Sequence, residues 1–351
     1  MTCTPSQGKA AVIHRIAAFS LENEFRRKKH MKKYDVTALG ELLIDFTENG
    51  MSSQGNPMFE ANPGGAPCNV LAMLAKLGHK TAFIGKVGND FFGQQLKDAI
   101  EEVGIDSAYL RMDDEVHTTL ALVHTYPDGD RDFSFYRDPG ADMMLKESEI
   151  PEMLLKDSKV FHFGTLSMTH EGVRSATKKA VQLAEESGAI ISFDPNLRPP
   201  LWKSLDEAKE QVLYGLEHCH ILKISDNEIQ WLTGKEDYSD GVAWIRERYP
   251  IPLILVSMGK EGSRAYYQDK MVEVKPFIQE NTVETTGAGD TFCGCVLHYV
   301  CENGLEGLTQ KDLEEMLTFA NAAASMITTR KGALRVMPER SEIQELMMYR
   351  S

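Results

Sequence analysis

From Val160 onward, short apolar runs alternate with stretches of helical periodicity, and no other feature of the chain restricts its fold as much. Val160–Phe163, Ile190–Phe193, Ile221–Ile224 and Leu253–Ser257 read as buried strands. Glu171–Ser187, Leu205–Leu216, Gly241–Arg248, Asp290–Cys301 and Asp312–Thr328 carry the spacing of helices. Strands alternating with helices of about 10–15 residues build βαβ units, and so a largely parallel sheet with helices on both faces. The class is α/β. Before this region, Asp35–Phe46 is an apolar strand that breaks at Gly40 and resumes. Val70–Leu77 and Phe91–Val103 read as helices that stop at Gly78 and Gly104, with a strand, Thr81–Val87, between them. Ser263–Tyr267 and Met271–Val274 resemble a hairpin.

Two stretches, about residues 46–60 and 117–137, interrupt the rhythm. The second holds strand signals on either side of the turn sequence Pro127-Asp-Gly-Asp130. Strands inserted into an α/β framework leave it for a small second sheet. Their position suits a lid over the strand ends where ligands bind.

A chain of 351 residues fits one large α/β domain with such an appendage. The net charge of -14 argues against nucleic acid and against an anionic membrane surface. It leaves room for a small anion held by local amides and a metal. No apolar run reaches the ~18–20 residues of a spanning helix. Six scattered cysteines read as reduced thiols of a cytoplasmic protein. Residues 1–30 read as an extension outside the domain, which spans 31–345. Its basic end, Arg26–Lys29, follows the apolar Ala10–Phe19, the reverse of a signal peptide, while the lack of acids before Glu22 allows a transit peptide.

The strongest chemical signal is Glu284-Thr-Thr-Gly-Ala-Gly-Asp-Thr-Phe292. Gly287 and Gly289 let a backbone approach a ligand, and the following helix presents unpaired amides that bind phosphate oxygens. Asp290 in its first turn can accept a proton from a nucleophile attacking that phosphate. Alone, Gly-x-Gly-Asp suits an ordinary turn as well as an anion cradle.

The whole string resembles the C-terminal signature of the ribokinase-like (PfkB) carbohydrate kinases, and Gly64-Gly65-Ala-Pro-Cys-Asn69 resembles their N-terminal element. The resemblance runs from about Met31 to Pro338. It implies a three-layer α/β/α sandwich with a β-sheet lid, and an ATP-dependent sugar kinase using magnesium. Asp290 matches the catalytic base, and the amides of Gly287, Ala288 and Gly289 match the anion hole. Asp45, Gly64, Gly65 and Asn69 match sugar-binding positions; carboxylate and amide suit neighbouring hydroxyls. Ser257, Gly259, Gly262 and Asn321 match positions near the nucleotide. In Ser225-Asp-Asn-Glu228, Glu228 matches a residue that orders magnesium through water, and Ser225 replaces the family's usual Asn. Glu284, Thr286 and the Gly332 loop match a monovalent-cation site for potassium, with Glu284 in place of Asp.

Phe135-Tyr-Arg137-Asp and Asp194-Pro-Asn-Leu-Arg198 are similar to the fructokinase branch, where Arg137 would come from the lid to the sugar. Fructose ranks first and 2-keto-3-deoxygluconate second, ahead of ribose, an aminated sugar or a nucleoside. A sugar sensor without activity is the rival from another class, and the intact Asp290 cradle counts against it. A dehydrogenase would need Gly-x-Gly-x-x-Gly in its first βα turn, and Gly40-Glu-Leu-Leu-Ile-Asp45 lacks it. Sugar and ATP are the expected partners, with a homodimer through the lid. His162, His170, His218 and His220 show no ligand spacing and read as structural.

Overall fold

In the strand Leu253–Ser257, Leu253 and Leu255 enter one apolar core while Ile254 and Val256 enter another. A strand buried on both faces needs cover on both, which forces layers. The structure, a computed structural model, describes residues 32–125 and 131–349. The expected extension 1–30 and the Pro127–Asp130 turn lie outside the described residues.

The strands are β1 (Tyr34–Leu39), β2 (Leu43–Met51), β3 (Pro57–Gly64), β4 (Thr81–Gly88), β5 (Ile105–Asp106), β6 (Leu110–Asp113), β7 (Leu120–Thr125), β8 (Arg131–Tyr136), β9 (Ser158–Gly164), β10 (Ile190–Asp194), β11 (Ile221–Ser225), β12 (Leu253–Ser257), β13 (Ser263–Tyr267) and β14 (Lys270–Val274). The central sheet has the order β14-β13-β12-β11-β10-β9-β1-β4-β5, with β6 also on β4. Its pairs are parallel from β12 to β5, and only the β12–β13–β14 edge is antiparallel.

The helices are α1 (Ala66–Lys76), α2 (Phe91–Glu102), α3 (Glu152–Lys156), α4 (Glu171–Glu186), α5 (Leu205–His218), α6 (Asp226–Thr233), α7 (Tyr238–Arg246), α8 (Ala288–Asn303), α9 (Gln310–Ile327) and α10 (Arg340–Met348). Helices α1, α2, α8 and α9 fill one core, and α3 to α7 fill the other. This is the expected three-layer sandwich. Ile343 of α10 is also buried in the first core, and Leu346 and Met347 of the same helix pack against it. Among the described residues, no helix is long and apolar enough to cross a membrane.

The opening strand differs from its sequence reading in an instructive way. Its halves part at Gly40 into different sheets: β1 joins the centre, while β2 joins a second sheet ordered β3-β2-β7-β8. A Cβ on Gly40 would meet Pro67 at 2.5 Å, so the break lets the chain pass close under α1. The small sheet takes in 43–64 and reaches Tyr136, somewhat beyond the expected first segment. Its β2–β7 pair is parallel and its outer pairs antiparallel. Phe46 meets Phe92 of α2 edge-on at 5.6 Å, anchoring it to the body.

The four histidines read as structural have structural partners. His162 is buried against Ser192 and held neutral, its pKa pushed to about 3 by burial. His170 caps α4, His218 pairs with Glu185, and His220 Nδ1 accepts from Ile191 N.

Candidate active site

Thr285-Thr-Gly-Ala-Gly-Asp290 leads into α8. Gly287 is its N-cap at φ 76°, and a Cβ there would lie 2.7 Å from Ala333 Cβ, so the position demands glycine. Asp290 follows in the first turn and is buried. Asn69 Nδ2, from α1, donates to Asp290 Oδ2 at 2.8 Å. Burial pushes the Asp290 carboxyl above its usual range; Asn69 and the charges of Lys223 and Arg198 pull against that.

A cleft of about 300 Å³ opens here. Its floor is the carboxyl end of the parallel strands, where ligands of open α/β sheets bind: Glu41 follows β1, Leu166 follows β9, Asn196 and Arg198 follow β10, and Lys223 lies in β11. Leu43 and Asp45 of β2 and Phe135 of β8 face it from the small sheet. The sequence-derived residues Asp45, Gly65, Asn69, Thr286, Gly287, Gly289 and Asp290 all line this cleft. Gly64 stands behind it, where a Cβ would come 2.4 Å from Asp45 Oδ2, so glycine makes room for that carboxylate.

Two expectations need correction. Arg137 does not line the cleft. Its side chain is 2% exposed; Nε and Nη2 bind Asp142 Oδ2 at 2.8 and 2.7 Å, Nη1 donates to Thr169 Oγ1 at 2.8 Å and Nη2 to the Leu166 carbonyl at 3.0 Å. The chain leaves β8 one residue earlier and turns back into the body, where Asp142 captures the guanidinium. The arginine at the cleft is Arg198. Ala288 also falls outside the lining, and its amide donates to the Thr285 carbonyl at 3.3 Å. Gly287 and Gly289 are the cradle glycines at the cleft.

The remaining expected positions surround this centre. Ser225 caps α6 and forms a capping box with Glu228, whose Oε2 accepts from Ser225 N and Oγ at 2.8 and 2.7 Å. Glu228 Oε1 accepts from Leu197 N at 2.7 Å. Ser257 sits opposite Ser225 across the β11–β12 pair, and Gly259 and Gly262 follow it in a turn with φ of 51° and 103°. Asn321 is engaged in packing: its Oδ1 accepts from Ser263 Oγ at 2.9 Å and its Nδ2 donates to the Val274 carbonyl at 3.1 Å. Both ends of the amide thus tie α9 to the edge hairpin, which counts against its expected place beside adenine. Glu284, Thr286 and Gly332 meet in a small recess bordered by Asp45, and Gly332 N donates to Glu284 Oε1 at 3.2 Å.

The model of the pfkB family carbohydrate kinases matches residues 33–340. The chain belongs to this family. As a carbohydrate kinase it is a phosphotransferase acting on a sugar hydroxyl. It is 39% identical to the probable fructokinase-4 of Arabidopsis thaliana, covering 89% of this chain and 96% of that one. The fructokinase of Xylella fastidiosa with bound ATP superposes with a TM-score of 0.82 at 29% identity, covering 90% and 98%. A double mutant of the Vibrio cholerae O395 fructokinase, bound to fructose, ADP and potassium, has a TM-score of 0.80 at 27% identity, covering 90% and 98%.

Reading the motifs alone leaves Glu41, Asn196, Arg198 and Lys223 without roles, although all four line the kinase's cleft. Two carried a signal. Lys223 interrupts the apolar run Ile221–Ile224, and its amine lies 3.0 Å from Asp194 Oδ2. Glu41 sits at the glycine break; its Oε1 accepts from Ala66 N at 3.0 Å, and burial raises its pKa to about 7. Asn196 holds φ at 44°, a strained value that no sequence pattern announces.

Proposed function

We propose that the chain is an ATP-dependent fructokinase that phosphorylates the primary hydroxyl. The observation that carries this reading is the convergence of a buried acid, Asp290, with the glycine cradle of α8 and a side chain with one open acceptor. That side chain is Asn69: its Nδ2 holds Asp290, while its buried Oδ1 has no partner among the described residues and is placed to accept from a sugar hydroxyl. Asp45 takes further hydroxyls. Asp290 accepts the proton of the attacking hydroxyl, the sugar oxygen bonds to the γ-phosphorus in line, and the bond to ADP breaks. The amides of Gly287 and Gly289 and the guanidinium of Arg198 meet the charge that develops. The lid sheet keeps water from the phosphoryl.

The nucleotide lies toward Ser225, Ser257 and the Gly259–Gly262 turn. Magnesium suits the hard oxygen of Glu228, whose carboxylate already accepts three protein donors and would therefore hold the ion through water. When bound, the ion neutralises phosphate charge. Potassium would take Oε2 of Glu284 with Thr286, at the recess beside Asp45.

Fructose is favoured over 2-keto-3-deoxygluconate because the acid Asp45 faces the sugar end and repels a carboxylate. Tyr136 alternates with Phe135 and, like Met51 and Phe59 on the same face, is an exposed apolar residue of the small sheet. We read that face as the seat of a second copy, with sedimentation as its check. The test of function is ADP release from ATP over fructose, the keto-deoxy acid, ribose, tagatose and adenosine. Turnover on fructose is expected; preference for the acid would overturn the sugar assignment, and silence on every sugar would overturn the kinase reading.

A further inference from the structure

In β11, Leu222 and Ile224 are fully buried, yet Lys223 lies between them with its side chain 8% exposed. A buried ammonium loses hydration that one salt bridge replaces only in part, so an apolar residue would serve the strand better. Lys223 Nζ lies 3.0 and 3.3 Å from the two oxygens of Asp194, and the residue still lines the cleft. Gly289 guards that opening: a Cβ on it would come 3.1 Å from Nζ. At the second position of α8, a larger side chain would cover the amine. The absence of one leaves the ammonium beside the unpaired amides of the helix terminus, facing the ligand space.

The groups around it come from each packed element. Asp194 on β10, Glu228 on α6 and Asp290 on α8 hold the amine charged. His162 on β9 stays neutral, the Cys293 thiol on α8 is pushed up by burial, and Arg198 lends Asp290 a second positive charge.

We propose that Lys223 is a catalytic residue of the transfer: clamped by Asp194, its ammonium meets an oxygen of the moving phosphoryl next to the Gly289 amide. This rests on the kinase reading of the cleft. Lys223 exchanges no proton. As the sugar oxygen–phosphorus bond forms and the bond to ADP breaks, the hydroxyl proton passes to Asp290 and the fixed charge meets the phosphoryl oxygens. The same ammonium keeps the Asp290 carboxyl lower than burial alone would leave it, so that it can act as a base.

The experiment compares Asp194→Asn with Asp194→Asn/Lys223→Met, which differ only in the ammonium. The double variant also removes the buried pair as a unit and leaves no lone charge inside. Both are assayed on the sugar that the wild type uses. Turnover in the double variant is expected to be slower by about a hundredfold or more, as for loss of an oxyanion donor. The acid limb of its kcat/KM profile should lie about one pH unit higher, a tenfold shift in proton activity. Turnover within threefold of Asp194→Asn, or an acid limb that does not move, overturns the proposal. If Asp194→Asn does not fold, the double variant is compared with the wild type on kcat alone, with the same threefold threshold. A wild type silent on every sugar would count against the kinase reading; the ratio between variants concerns Lys223 alone.

Discussion

The two ends of the cleft are built differently. At the phosphoryl end, Thr285–Asp290 supplies glycine cradle and base from six consecutive residues, and the helix fixes their geometry. At the sugar end, Glu41, Asp45, Asn69 and Phe135 come from the loop after β1, two strands of the small sheet and one helix. One end depends on backbone conformation, the other on long-range packing. Substitutions should therefore fail in different ways at the two ends.

The largest effect is expected at the contiguous end. Asp290→Asn keeps the hydrogen-bonding shape but cannot take a proton, so kcat should fall about 10²–10⁴-fold with ATP affinity nearly unchanged. Single-turnover rates with an independent ATP-binding titration would check this. Near-normal turnover would break the comparison at its strongest point.

The two arginines sharpen it. Arg137→Ala removes the partner of buried Asp142 and should cost about 3–5 kcal/mol of stability, read as a lower midpoint in urea. Arg198→Ala should instead lower kcat/KM by about 10–100-fold, the worth of a hydrogen bond to a charged group, with a small change in midpoint. If the Arg137 variant loses sugar affinity while keeping its midpoint, the sugar end is assembled otherwise than described.

How much could be read from the sequence follows the same division. The layers were legible because strands buried on both faces, such as β12, must be apolar throughout. Asp290, Gly287 and Gly289 were legible because one helix terminus needs them adjacent. The lid's approximate place was legible from its interruption of the βα rhythm. Arg137 and Arg198 were not separable, since both stand in polar loops after strands, and only the backward turn to Asp142 decides between them. Asn321 was placed near the nucleotide by the family resemblance alone, and the hairpin that engages it, about 47 residues away in sequence, was out of view. The departure of β2 into another sheet was likewise hidden, since a break at Gly40 fits one bent strand as well as two.

The smallest expected effect guards the reading of every pH profile, because an acid limb has meaning only where the fold holds. His79 on the loop after α1 and His298 on α8 lie far from Asp290 in chemistry. Arg340 can only donate, so His298 Nε2 accepts from it at 2.9 Å. His298 Nδ1 therefore carries the proton, donated to His79 Nε2 at 2.6 Å, and His79 Nδ1–H faces Asp35 Oδ2 at 3.7 Å. Protonating either ring would set one N–H against another. Burial lowers both pKa values, that of His298 to about 4, with Arg340 and His79 adding to it. The unfolded chain binds these protons near pH 6.5, so the stability from the neutral pair is complete above that pH and is lost as pH falls toward 4. His162 acts in the same sense. Glu41 and Asp194, whose pKa values burial raises to about 7, act in the opposite sense over this range, so the check is a difference: from pH 7 to 5 the melting temperature of His298→Gln should fall less than that of the wild type. An unchanged slope in that variant would remove the pair from acid stability and leave the acid limb to Asp290 alone.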